Sequence, residues 1–448
     1  MKDMNTGKKS FFIIWSGQLV SIIGSGLTGF ALGVWVYQKT GMATYYAMIV
    51  LFTTLPSILA RPFGGVLADR FSRRTLIIIS DIGSSLGIFF IAMMIWTNHL
   101  QIWHIYAGMC FSSIFTGIGG PTYQSAITQL IPKNFYAQAS GMSQASASAN
   151  YLISPILATV LMPFIGINGI LILDFFSFIY AIISTFLIKI PHVADQKEDE
   201  NGIKIFVKYT LDAMKYLKER RGLTIQITII VIINFLMGFL VSLIGPMILS
   251  FSTAKMLGLG ESISAVGMMI SSIAVIFIPE PKRLIKCMMR FLFFLGISYS
   301  LIGFKASFIT IVVPCFVFFM SLPFVNTYGD IVLRRSVDNK IQGRVYAVIG
   351  MLVQAGVVLA YIIAGPLSDC VFEPLMSKGG LLEGSVGKLI GVGPGRGIGL
   401  IFVIMGIGIS LVALIASRLK ALKQLENELE QNVKEAINMG STTDMAAE

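Results

Sequence analysis

The chain has 448 residues, of which 55% are hydrophobic and 13% are charged, and its formal net charge is +11. Soluble proteins carry about 25% charged residues, so this composition excludes an ordinary soluble protein and indicates a polytopic membrane protein. The basic residues lie in short stretches between apolar runs, which fits the positive-inside rule and argues against a nucleic-acid partner. The four cysteines show no CxxC spacing, so neither a disulfide nor a metal site is predicted.

Twelve apolar runs, most of them about 20 residues long, predict twelve transmembrane helices. The run that starts at Phe11 is too long for a cleavable signal peptide and lacks a small-residue cleavage site, so it is predicted to remain as the first span. The predicted spans are approximately 11–37, 45–65, 76–97, 102–123, 137–164, 169–190, 223–251, 263–278, 284–304, 308–328, 345–367 and 398–419.

The distribution of lysine and arginine predicts the orientation of these spans. Most of the 34 basic residues fall on the side of the N-terminus, and Arg61 lies inside the second span. Because short basic loops stay in the cytoplasm, the sequence predicts a multi-pass protein of the cell membrane with both termini in the cytoplasm. The basic residues on the other side are Lys39, Lys255, Lys305, Lys378, Lys388 and Arg396.

The longest segment between spans separates the first six from the last six. Four regions are predicted: an N-terminal six-helix bundle (1–190), a cytoplasmic linker (191–222), a C-terminal six-helix bundle (223–420) and a cytoplasmic tail (421–448). Apolar residues at helical spacing in the linker predict an amphipathic helix on the inner membrane surface, although an ordinary connector fits as well. These residues are Ile203, Val207, Leu211 and Met214.

The tail carries an apolar stripe that predicts a second amphipathic helix. Such a helix can lie on the membrane surface or pack against another helix, and the neighbouring Lys420 and Lys423 favour the membrane surface. The stripe consists of Leu422, Leu425, Leu429, Val433 and Ile437.

A short charged stretch separates the second and third predicted spans. Its arginines, Arg70, Arg73 and Arg74, can anchor it in the headgroup layer. The arginines alone would be explained by a basic loop that fixes the membrane topology and has no further role. Gly65, together with the glycine before it, can let two backbones approach closely. Asp69 can accept hydrogen bonds from the free amides at the start of another helix.

The order of residues in this stretch resembles the signature loop of the major facilitator superfamily, Gly-x-Leu-Ala-Asp-Arg-x-Gly-Arg-Arg/Lys. The one departure is Ser72, where the family usually has glycine. Residues of the later half, beginning with Gln342, Gly343 and Arg344 before the eleventh span, look like a bacterial branch that is similar to macrolide-efflux and siderophore-export proteins. The glycine-rich stretch 391–399 has the spacing of neither a dinucleotide-binding loop nor a P-loop.

This resemblance implies an all-α membrane protein with twelve transmembrane helices in two pseudo-symmetric six-helix bundles. It also implies a secondary transporter that exports a lipophilic small molecule, antibiotic or peptide by alternating access, as a proton antiporter. Asp69 would then hold the start of the eleventh span near Gln342–Val345 in the outward-facing state. Two alternatives stay open: a facilitator or uptake carrier of the same fold without proton coupling, and a non-transporting membrane sensor.

Ionisable side chains inside spans are costly and mark candidate functional sites. Asp81 lies about two turns from the cytoplasmic end of the third span, and Asp174 lies near the outer end of the sixth. Either could carry a proton. The alternatives are that Asp81 pairs with a loop arginine and that Asp174 caps a helix or snorkels. No carboxylate falls at the midplane of a predicted span, so proton coupling is implied by the resemblance alone.

Other polar side chains in or near the spans are candidates for a proton or substrate cavity. A cavity with few charges suits a bulky amphipathic solute. Aromatic side chains such as Tyr299 could line it, although core packing or a place in an interfacial aromatic belt is commoner for such residues. No motif indicates a nucleotide, another cofactor or a metal, and no nucleophile with a neighbouring base indicates an enzyme. The predicted partners are therefore the transported molecule, protons and membrane lipids. With Asp81 and Asp174, the candidate cavity residues are Gln18, Asn150, Asn234, Asn326 and Gln354.

Overall fold

A computed structural model describes residues 2–132, 135–190, 202–338 and 341–431, apart from the side chains of residues 2–6, 69, 137, 147 and 202–210. The regular secondary structure of these residues is helical, without a β-strand. The long helices are α1 (Lys2–Thr40), α2 (Ala43–Arg70), α3 (Arg73–Trp96), α4 (Ile102–Leu130), α5 (Tyr136–Phe186), α6 (Gly202–Glu219), α7 (Arg221–Leu249), α8 (Ala254–Phe277), α9 (Leu284–Ile302), α10 (Phe308–Ser336) and α11 (Gln342–Leu367). After α11 come a π-helix (Ser368–Phe372), α12 (Glu373–Met376), α13 (Gly387–Ile390) and α14 (Arg396–Arg418).

Ten of the described helices are long and apolar enough to cross a membrane. One of them, Gln138–Phe186, has 49 residues and is broken at Gly166, where φ is 63° and ψ is −174°. Glycine adopts this conformation without a steric penalty, and the break falls between the fifth and sixth predicted spans. α4 has 29 residues but is not among the ten. The all-α membrane fold is confirmed, and the count of twelve spans stays a prediction.

The chain forms two compact units that are not continuous in sequence. Unit 1 contains residues 1–198, 241–265 and 361–371, and unit 2 contains residues 199–240, 266–360 and 372–448. The last residues of α7 and α11 and the first residues of α8 therefore group with the first six predicted spans. The boundaries predicted for the two six-helix bundles stay a prediction.

Unit 1 is built by α1 packing on α5, α2 on α4, and α3 on both α4 and α5. We call the end where residues 71–72 join α2 to α3 the proximal end, and the end where residues 41–42 join α1 to α2 the distal end. One apolar cluster, around Phe11 and Ile127, lies toward the proximal end, and another, around Leu32 and Ile105, lies toward the distal end.

In unit 2, α9 packs between α10 and α14. Tyr299 of α9 is fully buried, its ring lies against Phe318 and Phe402, and its hydroxyl donates to the main-chain oxygen of Leu236 (2.9 Å). Of the placements considered for Tyr299, the structure shows core packing and not cavity lining: this side chain is part of the core and satisfies its polar atom there.

Residues 420–431 form a tail helix that packs on unit 2. Leu422, Leu425 and Leu429 are buried, and Glu426 accepts a hydrogen bond from the Lys286 amide (2.9 Å) at the first turn of α9. The amphipathic stripe is confirmed over these residues, but the favoured position on the membrane surface is wrong, because the stripe covers protein. The last two stripe residues, 433 and 437, lie outside the described part of the chain.

The linker helix α6 differs from the tail helix, because part of its apolar face is exposed. Leu211 and Met214 are 60% and 49% exposed, whereas Leu217 is buried and Arg220 donates to the main-chain oxygen of Ser336 (2.8 Å). An exposed apolar pair on a helix whose other face is anchored fits a position on the membrane surface. The side chains of residues 203 and 207 lie outside the described part, so that position stays a prediction.

Candidate functional site

The charged stretch 65–74 forms a tight turn at the proximal end of unit 1. α2 ends at Arg70, and α3 begins at Arg73 after Ser72, whose hydroxyl accepts a hydrogen bond from the Thr75 amide (3.2 Å). Serine is a favourable N-cap because its oxygen pairs with an otherwise free amide. The departure from the family's glycine therefore stabilises the start of α3.

Two arginines of this turn are fixed to neighbouring helices. Arg73 donates to the main-chain oxygen of Ser125 in α4 (3.1 Å), and Arg74 donates to that of Phe186 in α5 and also lies 4.9 Å from the centroid of its ring. The turn is thus held against the ends of α4 and α5. The side chain of Asp69 lies outside the described residues, and its contact with the eleventh span stays a prediction.

In this stretch, Gly64 is the glycine at which the backbone of α2 closely approaches the backbone of α4. A Cβ at position 64 would lie 2.6 Å from the Ile118 oxygen of α4, whereas a Cβ at Gly65 would meet no atom within 4 Å. The packing of α2 on α4 therefore requires glycine at position 64 but not, by its contacts, at position 65.

The residues predicted to receive Asp69 lie at the first turn of α11, in unit 2. Gln342 donates to the main-chain oxygen of Arg334 (3.4 Å), Gly343 has open space around it, and Arg344 is half-buried. Amides in the first turn of a helix lack partners within the helix and favour a nearby anion. The predicted binding of Asp69 to this segment is based on its position at the first turn of α11.

Asp81 and Gln18, two predicted cavity residues, lie together. The Gln18 amide donates to Asp81 Oδ2 (3.1 Å), which joins α1 to α3, and Asp81 is buried. The alternative in which Asp81 pairs with a loop arginine is not what the structure shows. Arg73 and Arg74 instead bind main-chain oxygens of α4 and α5.

Asp174 is fully buried between α1 and the second half of α5. Its Oδ1 accepts hydrogen bonds from Ser25 (3.3 Å) and Ser177 (3.2 Å), and the fully buried Thr28 is a third polar neighbour. The predicted alternative that Asp174 caps a helix or snorkels is wrong, because the carboxyl group is inside the helix pair. An intramembrane carboxyl group surrounded by hydroxyl groups is a candidate proton-binding group.

Asn150 lies elsewhere on the contact between α1 and α5. Its Oδ1 is 3.1 Å from the Ser154 hydroxyl, and a Cβ at Gly26 would overlap that oxygen. The Asn150 amide is therefore packed directly against the backbone of α1.

Unit 2 contains a cavity of about 180 Å³. It brings the predicted residues Asn234 and Asn326 together among mainly apolar side chains, while Gln354 on α11 is half-buried and outside the lining. At its edge, Asp330 accepts hydrogen bonds from Tyr346 (2.7 Å) and Arg334 (2.7 Å). The lining residues are Ile229, Ile230, Ile233, Asn234, Met288, Val325, Asn326, Asp330, Leu333, Tyr346 and Ile349.

Two carboxylates inside the long helices were missed by sequence reasoning. α8 begins at Ala254, well before the predicted start at 263, so Glu261 lies inside a candidate span, near Tyr46 of α2. α10 continues to Ser336, so Asp330 is helical as well. The predicted eighth span had only 16 residues, and a bilayer needs about 20. That shortfall was the available signal that the helix extends across Glu261.

A family model, the Major Facilitator Superfamily, matches residues 14–361. Macrolide efflux protein A of Streptococcus pyogenes is 24% identical over 375 residues, covering 82% of this chain and 92% of that protein. Enterobactin exporter EntS of Citrobacter koseri is 23% identical over 34% of this chain and 37% of that protein. The crystal structure of the nucleoside transporter NupG shares the fold, with a TM-score of 0.70 at 12% identity over 92% of this chain and 100% of that chain. Because the family model covers most of its length, the chain belongs to the major facilitator superfamily and is a multi-pass membrane transporter.

Proposed function

We propose that this transporter exports a lipophilic small molecule, antibiotic or peptide by alternating access, in exchange for protons. The observation that carries the proposal is the cavity of unit 2, where the amides of Asn234 and Asn326 lie among isoleucine, leucine, valine and methionine side chains. Such a lining offers apolar contact area and a few orienting hydrogen bonds, and the cavity volume of about 180 Å³ fits one segment of a bulky molecule, not the whole of it. The relatives named for macrolide and enterobactin export support the outward direction and the choice of a bulky substrate.

The charge of the cavity narrows the substrate class. Its one carboxylate, Asp330, is already paired with Arg334 and Tyr346, so it does not present an uncompensated charge. A sugar phosphate or a small anion would lose its hydration without gaining a counter-charge. An amphipathic molecule with amide, ester or hydroxyl groups would instead keep its hydrogen bonds at Asn234 and Asn326.

Three carboxyl groups inside helices of unit 1 are the candidates for carrying protons: Asp81, Asp174 and Glu261. Asp81 and Asp174 are buried and bonded to uncharged donors, and Glu261 is partly buried on α8. Moving an uncompensated charge within a membrane-embedded helix bundle is costly, and binding a proton removes that cost. Proton exchange at one of these groups would therefore couple the gradient to the conformational cycle.

The conformational cycle that we propose uses two six-helix bundles, 1–190 and 223–420, joined by the linker 191–222. The turn 65–74 lies on the cytoplasmic side with both termini, and Asp69 holds the first turn of α11 when that side is closed. The basic composition of the turn and its anchoring to α4 and α5 support this placement.

Transport is tested with inverted membrane vesicles that contain the chain. A radiolabelled macrolide and a catecholate siderophore are offered outside, with and without an acid-inside gradient. The proposal expects accumulation that needs the gradient and collapses with a protonophore. Gradient-independent equilibration would identify a facilitator, and the absence of any flux above empty-vector vesicles would favour a non-transporting protein.

Coupling is tested with Asp81→Asn, Asp174→Asn and Glu261→Gln, each compared with Glu428→Gln on the exposed face of the tail helix. The variant that removes the proton carrier should lose accumulation by at least about tenfold yet keep substrate counterflow, because counterflow needs no net proton movement. If all three variants accumulate substrate as Glu428→Gln does, proton coupling through these groups is refuted.

A further inference from the structure

The carboxylate of Asp369 binds the start of α2 at the distal end of unit 1. It lies in the π-helix that follows α11, and it accepts hydrogen bonds from the Ala43 amide (3.1 Å), the Thr44 amide (2.7 Å) and the Thr44 hydroxyl (2.6 Å). The N-cap residue of α2 is Met42, which offers no side-chain cap. The free amides of α2 are thus capped by a residue 325 positions beyond Thr44 in the sequence.

A close backbone contact accompanies this cap. A Cβ at Gly365, one turn before Asp369, would overlap the backbone of Thr44. On α8, the Ser262 hydroxyl donates to the main-chain oxygen of Leu152 in the first half of α5 (2.9 Å), so a second helix of the later half is bonded to the earlier half, about two turns into α8. These three contacts use backbone atoms and small side chains.

We propose that Asp369 is a releasable latch that keeps the distal end closed, and that substrate leaves through this end when the latch opens. The exit role rests on the proposed function. Asp369 is half-buried, so water can solvate the carboxylate and the α2 amides once they separate. Opening therefore leaves no buried charge without a partner, in contrast to Asp174, which is fully enclosed.

The latch predicts that removing the charge of Asp369 exposes the distal contact to water. Ser262→Cys serves as the reporter, because Ser262 is buried where α8 meets α5, about two turns in from the start of α8, and cysteine is close to serine in size. The four native cysteines, Cys110, Cys287, Cys315 and Cys370, are replaced by serine, and the purified protein is labelled with a membrane-impermeant maleimide in proteoliposomes. We expect Asp369→Asn to increase the labelling rate by about tenfold, since a carboxylate caps helix amides better than a neutral amide does.

The matched control is Glu383→Gln. It removes the same charge from the segment between α12 and α13, where Glu383 accepts a local hydrogen bond from the Gly379 amide (2.6 Å). Equal labelling rates in Asp369→Asn and Glu383→Gln would overturn the latch. A second pair of variants tests the backbone contact between α11 and α2. Gly365→Leu should increase the labelling rate, because its side chain would overlap the backbone of Thr44 and separate the two helices. Gly350→Leu, at a position of α11 with open space around it, should leave the rate unchanged. This pair decides the question if Asp369→Asn fails to fold.

Transport measurements on the same proteins separate the latch from the proposed function. Faster labelling in Asp369→Asn with no substrate flux in any protein would support the latch and refute export. Normal flux with unchanged labelling in both Asp369→Asn and Gly365→Leu would refute the latch and leave export intact.

Discussion

Gln18 and Asp81 form a single hydrogen bond between α1 and α3, and each depends on the other. We expect Gln18→Leu to lower the free energy of unfolding by about 1–3 kcal/mol, because the buried Asp81 then lacks its donor. Adding Asp81→Leu should recover part of that loss, since two apolar groups leave no unpaired polar atom. Thermal unfolding of the four proteins in detergent gives the coupling energy. Strictly additive effects would show that the bond does not contribute.

Ser72 gives a second test with single residues, because it caps α3 where the family usually has glycine. We expect Ser72→Ala to lower the free energy of unfolding by about 1 kcal/mol and Ser72→Gly by only a few tenths. Hydrogen exchange of the Thr75 amide, which donates to the Ser72 oxygen, reports the cap directly. Similar exchange in Ser72→Ala and in the parent protein would contradict the capping role.

The sequence supplied the identity of most of these polar residues but not their partners. Asp81 and Asp174 were visible because a carboxylate is conspicuous in an apolar run. Their neighbours Gln18 and Ser25 lie on another helix, 63 and 149 residues away, and spacing along the chain holds no information about such contacts. The bond from Asp369 to the start of α2 was invisible for the same reason.

At the scale of helices, hydropathy predicted where helices occur more accurately than where each helix begins and ends. The break at Gly166 falls in the predicted gap between 164 and 169, where the apolar run is interrupted by a flexible residue. By contrast, α8 starts nine residues before its predicted start and α10 ends eight residues after its predicted end, so that Glu261 and Asp330 lie inside the helices. A helix tolerates such a residue when it has polar partners, as Asp330 has in Arg334 one turn later on α10 and in Tyr346 on α11.

The tail helix yields a prediction about an element and its docking. Leu425 is buried and would lie 3.1 Å from a Cβ at Gly222, at the start of α7. We expect Leu425→Ala to weaken docking by about 2 kcal/mol or more, because it leaves a gap in the contact. Limited proteolysis at Lys420 and Lys423 should then be faster by about tenfold.

The control for this prediction is Gln424→Ala, which alters an exposed position of the same helix and should leave the cleavage rate unchanged. A tail that lay on the lipid surface would show little difference between the two variants. Equal cleavage of both would therefore favour the membrane position that the burial of Leu425 argues against.

At the scale of the whole molecule, the two proposed latches use the same pair of helices in opposite directions. Asp69 is the penultimate residue of α2 and is proposed to bind the start of α11, whereas Asp369 follows the end of α11 and binds the start of α2. Alternating access requires that one end closes when the other opens. Each of the two carboxylates lies at the end of one helix and would bind the first-turn amides of the other. The same kind of contact would therefore close one end in one state and the opposite end in the other state.

This reciprocity makes a prediction for a set of three variants in the Ser262→Cys reporter protein. Asp369→Asn should increase the labelling rate of the reporter by about tenfold, because it removes a contact that stabilises the state with the distal end closed. Asp69→Asn should decrease that rate by about tenfold, because it removes the contact proposed to stabilise the opposite state, in which the distal end is open. The double variant loses both contacts, so its labelling rate should return to within about threefold of the reporter protein. Asp212→Asn, at an exposed position of α6, is the control for Asp69→Asn. If the double variant labels as fast as Asp369→Asn alone, the two carboxylates do not act on one equilibrium, and Asp69 is no more than part of a basic turn that fixes topology.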